Sequence, residues 1–118
     1  MHILYVEDNL LVREVTLELL AQDGRDFTAV GTAEEALEEF KTRPSDVVIT
    51  DVSLPSMSGI DLARNLLKIN PQLPIIIASG YALEFGMHDF GPSVRSIIKP
   101  FDAEDIDTLI TEITQVKI

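Results

Sequence analysis

Cysteine is absent from the 118 residues, which excludes a disulfide framework and any thiolate metal site and makes a cytoplasmic setting the default. Basic residues are scarce: nine Lys and Arg face twenty Asp and Glu, a formal charge of −11. That predicts no direct binding to nucleic acid or to an anionic membrane, because both need phosphates neutralised by Lys and Arg. It suits a chain that binds cations or basic protein surfaces. Long hydrophobic runs are also missing. Stretches such as Ile3-Leu4-Tyr5-Val6 fall far short of the roughly 20 residues of a membrane helix. Met1-His2 leads straight into that run, with neither the basic segment nor the cleavage site of a signal peptide. Without repeats, linkers or low-complexity tracts, the length fits one domain, 1–118, able to bury about two-thirds of its unfolded surface.

What the chain does have is an alternation of short apolar runs with helix-period segments. Ile3-Leu4-Tyr5-Val6, Val47-Val48-Ile49 and Ile75-Ile76-Ile77-Ala78 are short and rich in β-branched residues, which favours strand over helix. Apolar on both faces, they suit a parallel sheet covered by helices. Phe27–Val30 and Arg95–Ile98 are more mixed, as edge strands tend to be. Between these runs, Ala33, Ala36, Leu37 and Phe40 fall at i, i+3, i+4, i+7, and Thr32 with Glu35 reads as a capping box. Asn9, Ser58 and Asp102 stand as N-caps before three further apolar stripes, and Pro71 closes the stripe of Ile60, Ala63 and Leu67. The segment from Ala82 to Ser93 is interrupted by Gly86, Gly91 and Pro92, so a helix there is short or irregular. The order βαβαβαβαβα predicts a doubly wound α/β fold, a five-stranded parallel sheet with helices on both faces.

Such folds bind ligands beyond the carboxyl ends of their strands. Glu7 and Asp8 follow the first strand, Asp51 the third, Ser79 the fourth and Lys99-Pro100 the fifth. If the first and third strands are neighbours, three carboxylates share one pocket. At an effective dielectric near 20, two like charges 4 Å apart repel by about 4 kcal/mol, so either the carboxyl pKa values rise or a cation enters. Hard oxygen ligands of this kind suit Mg²⁺. Asp51 is then a nucleophile for a phosphoryl group, Lys99 a fixed positive charge and Ser79 a hydroxyl donor.

At these residues the chain resembles the receiver domain of two-component response regulators. The matching pieces are Tyr5-Val6-Glu7-Asp8-Asn9, Thr50-Asp51-Val52-Ser53-Leu54-Pro55, Met57-Ser58-Gly59, Ala78-Ser79-Gly80-Tyr81 and Ile98-Lys99-Pro100-Phe101. The resemblance implies a flavodoxin-like (βα)5 fold with strand order 2-1-3-4-5. It implies that Asp51 accepts a phosphoryl group from a histidine kinase or a histidine phosphotransfer protein. It further implies Mg²⁺ held by Asp8, Asp51 and the backbone carbonyl of Ser53, with Glu7 reaching it through water. Ser79 would bond the phosphoryl group, Lys99 would pair with it, and the Lys99-Pro100 peptide would be cis. One departure is plain: Ser96 stands where the family often carries Tyr or Phe, three residues before the lysine.

The expectation is therefore a stand-alone phosphoacceptor switch, not an enzyme beyond assisting its own phosphorylation and dephosphorylation, that signals by shape to a protein partner. The main alternative is a Mg²⁺-dependent phosphohydrolase with Asp51 as nucleophile. Such enzymes place a general acid two residues on, where this chain has Ser53. A flavin or nucleotide binder on the same fold would want an anion-friendly first loop, and Glu7-Asp8-Asn9 is the reverse. A receiver-like module that never carries phosphate would have no need of the full acid set with Ser79 and Lys99.

Overall fold

The structure, a computed structural model, describes residues 1–82 and 90–115. Five strands, β1 (His2–Val6), β2 (Asp26–Val30), β3 (Val47–Asp51), β4 (Ile75–Ser79) and β5 (Val94–Ile98), form one sheet in the order β2-β1-β3-β4-β5. Every neighbouring pair is parallel, and the two mixed segments are indeed the edges. Four helices are described: α1 (Leu10–Leu20), α2 (Ala33–Thr42), α3 (Gly59–Ile69) and α4 (Ala103–Thr114). The expected irregular helix between β4 and β5 lies mostly outside the described residues, as do Phe85, Met87 and His88. No helix among the described residues is long and apolar enough to cross a membrane.

Strand alternation sorts the core into two layers. Leu4, Val6, Val48, Ile75 and Ile77 face α2 and α3, where they meet Phe40, Leu62 and Leu66. Ile3, Tyr5, Val47, Ile49 and Ile76 face the other way, toward Leu20 of α1 and Ile106, Ile110 and Ile113 of α4. A period-two side-chain pattern with both faces apolar requires this double cover.

The caps start the helices where the sequence places them. Asn9 accepts from the Val12 amide, Ser58 from Asp61 and Asp102 from Asp105. Thr32 accepts from the Glu35 amide, and its hydroxyl donates to the Glu35 carboxylate, a variant of the capping box. Because each cap follows a strand within a few residues, the helix starts and the strand ends gather on one edge of the sheet.

Candidate functional site

The first and third strands pair directly, with Val6 opposite Thr50, so Glu7, Asp8 and Asp51 leave the sheet side by side. Each offers a carboxylate oxygen, and these oxygens lie within 4.8 Å of one another. Their environments differ. Glu7 is 3% exposed, Asp51 is half-buried and Asp8 lies open to solvent.

Lys99 arrives from the end of β5. Its Nζ donates to Asp51 Oδ1 at 3.1 Å and to Glu7 Oε1 at 3.3 Å. Burial alone would lower the pKa of this ammonium. The hydrogen bond and charge of Asp51, and then those of Glu7, outweigh it, so the net shift is upward. The Lys99-Pro100 peptide is cis, as the resemblance implies. Beneath the pocket, burial pushes the Tyr5 phenol above its ordinary value, opposed by a hydrogen bond with Thr16 and reinforced by the negative charge of Glu7.

Ser79 ends β4 and is almost fully buried. Its hydroxyl donates to the Tyr81 carbonyl at 2.7 Å and accepts from the Tyr81 amide at 3.1 Å. It sits at the correct edge with its hydroxyl bonded within its own turn. The exposed Ser53 stands two residues beyond Asp51. Between it and α3 the chain turns tightly: Ser56 has φ 66°, and the Met57 amide bonds the Pro55 carbonyl at 2.9 Å, a γ-turn. The loop then closes on Gly59, where a Cβ would sit 2.0 Å from the Asp51 carbonyl oxygen. Only a residue without a side chain lets α3 begin this close to the end of β3.

Three carboxylates facing one ammonium leave two negative charges uncompensated. An all-oxygen set with one carboxylate open to water matches what a hard divalent ion requires. The donor chemistry therefore fits Mg²⁺.

Comparison with known proteins agrees with this geometry. The family profile described as the response regulator receiver domain matches residues 3–111. The chain belongs to that family. Receiver domains are, in general, phosphoacceptor switches of two-component signalling rather than enzymes, and they bind Mg²⁺ at an acidic pocket. Thermotoga maritima chemotaxis protein CheY is 26% identical, with 96% of this receiver and 97% of CheY covered. The transcriptional regulatory protein CseB of Streptomyces coelicolor is 33% identical over 86% of the chain, which spans only 44% of CseB. Among solved structures, a response regulator receiver domain protein of Clostridium thermocellum superposes with a TM-score of 0.84 at 28% identity, covering 96% of this chain and 93% of that one. CseB corrects one expectation: with a transcriptional regulator among the relatives, an acidic receiver domain gives no ground for excluding nucleic acid as a partner.

Sequence reasoning placed Glu7, Asp8, Asp51, Ser79 and Lys99 on one edge, and the structure gathers the three acids within 4.8 Å of one another and bonds the lysine to Glu7 and Asp51. It missed Arg13. Its Nε donates to the Glu7 carbonyl at 2.9 Å from one helical turn beyond the Asn9 cap. An arginine four residues after a helix cap was the available signal.

Proposed function

We propose that Asp51 of this receiver domain accepts a phosphoryl group from a phosphohistidine on a histidine kinase or phosphotransfer protein. An Asp51 carboxylate oxygen forms the new bond to phosphorus as the P–N bond breaks. The electron pair stays on the imidazole nitrogen, and the product is an acyl phosphate. Hydrolysis reverses the state: water adds to phosphorus, the P–O bond to Asp51 breaks, and inorganic phosphate leaves with the carboxylate restored. The observation that carries this reading is the Lys99 ammonium bonded to Asp51 inside an acidic pocket. It holds the carboxylate in one orientation and supplies positive charge where phosphoryl oxygens arrive.

Glu7, Asp8, Asp51 and the Ser53 carbonyl would hold Mg²⁺, with Glu7 bonded through water. Bound there, the metal supplies charge neutralisation for the transferred group. Ser79 then exchanges its bonds with Tyr81 for one to the phosphoryl group. That shifts an existing equilibrium between two arrangements of the β4 end, which a protein partner senses.

An apolar groove of about 560 Å³ runs between α1 and the Lys99–Phe101 segment, lined by Leu11, Val15 and Leu19. Its position beside Lys99 suits a docking helix of the donor protein. We place the domain, residues 1–118, in the cytoplasm, in keeping with its lack of cysteine.

Incubation with phosphoramidate and Mg²⁺ tests the central claim. Intact mass spectrometry is expected to show one added phosphoryl group on the wild type and none on Asp51→Asn. Equal labelling of the variant would move the acceptor elsewhere.

A further inference from the structure

Glu7 is the most completely bonded residue of the pocket. Its amide donates to the Val30 carbonyl at 3.0 Å, and its own carbonyl accepts from Arg13 Nε at 2.9 Å. Its two carboxylate oxygens accept from Lys99 Nζ at 3.3 Å and from the Asn9 amide at 3.1 Å. Each polar atom has a partner, so the residue is fixed from four directions. Asp8, next to it, inherits that fixed backbone.

Three of the four partners are explained by the pairing of β1 with β2, by the loop after β1 or by the phosphoacceptor site. Arg13 is different, because its guanidinium extends past Glu7 to the loop after β2. A Cβ built on Gly31 would lie 2.7 Å from Arg13 Nη2 and 3.8 Å from Cζ. The Nη2 tip of the side chain therefore abuts Gly31, in space that any other residue at that position would fill. Gly31 directly follows Val30, the same residue whose carbonyl takes the Glu7 amide.

We propose that Arg13 is a positioning residue for the divalent-metal pocket. It clasps the loop after β1 to the loop after β2, and Gly31 is the seat that lets its planar fork do so. The inference rests on the metal-binding reading of Glu7, Asp8 and Asp51. It goes beyond that reading by assigning metal affinity to two residues outside the ligand set. The physical reason is the fork itself: Nε and Nη2 point in fixed directions from one plane, so one side chain registers two loops. A lysine keeps the charge and loses that geometry.

The test is Mg²⁺ affinity measured by calorimetry on the whole chain, with thermal melts to verify folding. Arg13→Gln is expected to weaken binding about tenfold, as outer-shell partners of metal ligands typically do. Gly31→Ala, which leaves Arg13 intact and pushes its guanidinium aside, is expected to do the same. In the double variant the losses should not multiply, because both changes break one contact. Arg13→Lys should behave like Arg13→Gln, which separates geometry from charge. Amide hydrogen exchange at Asn9 in the metal-free protein provides a second readout and should quicken in each variant.

Arg13→Gln binding Mg²⁺ within twofold of wild type, or losses that multiply in the double variant, would overturn the inference. If the wild type itself binds no Mg²⁺, the metal reading fails. The Asn9 exchange rates then decide the clasp alone, and unchanged rates would reject it.

Discussion

Lys99 Nζ lies 3.1 Å from Asp51 Oδ1 although 48 residues separate the two in the chain. The contact exists because β3 and β5 flank β4 in parallel, with Asp51 opposite Ala78 and Ser79 opposite Ile98. The Lys99 amide then donates to the Ser79 carbonyl at 2.7 Å, which holds the lysine over the end of β4. The same ammonium reaches Glu7, so one cation joins the acids of two strands.

Divalent metal should stabilise the fold through this pocket. At a concentration a hundredfold above its dissociation constant, Mg²⁺ adds about 2.7 kcal/mol, or about 10 °C in Tm for a chain of this size. Asp8→Asn and Asp51→Asn should each remove more than half of that shift in a thermal melt. Retention of the full shift by both variants would place the metal elsewhere.

Alkali should erode stability at the same place. The folded pKa of Lys99 is raised above its ordinary 10.5, and that of Tyr5 above 10.0. For a raised pKa, the stabilising contribution is complete below the unfolded value and is lost as pH climbs through the folded one. Urea unfolding should therefore show stability falling above about pH 10. Lys99→Met should flatten the fall, as should Tyr5→Phe. The difference spectrum of wild type against Tyr5→Phe should show that phenol ionising above pH 10.0.

Two positions between the end of β3 and the first turn of α3 should respond in opposite directions. Gly59→Ala puts a methyl group 2.0 Å from the Asp51 carbonyl oxygen, so the backbone has to move. We expect a loss of about 3 kcal/mol in chemical denaturation, the upper end of ordinary overpacking. Ser56, with φ 66°, carries a side chain in the left-handed region. Ser56→Gly should gain up to about 1 kcal/mol, offset in part by the freer unfolded chain.

Phosphotransfer from a protein donor should depend on the α1 groove, while transfer from a small molecule should not. Leu11 is 71% exposed and lines that groove. Leu11→Lys is expected to slow labelling by a phosphohistidine protein at least about tenfold, the effect of about 1.4 kcal/mol of lost interface energy. Labelling by phosphoramidate should be unchanged. Equal rates from the protein donor would assign the groove another role.

Local chemistry determined most of the scaffold from the sequence alone. Strand runs apolar on both faces, stripes at helical spacing and the Asn9, Thr32, Ser58 and Asp102 caps each depend on residues within one or two turns of one another. Periodicity reports such short-range relations directly. The acid pair, Asp51, Ser79 and Lys99 were legible as candidates because each closes a recognisable strand. Only the tertiary structure decided that Lys99 joins Asp51 to Glu7, that the Ser79 hydroxyl is bonded to the Tyr81 backbone, and that Arg13 rests on Gly31. Those facts depend on the relative placement of crossovers tens of residues apart, to ångström precision, and no local pattern encodes a distance between segments that meet only when the sheet has closed.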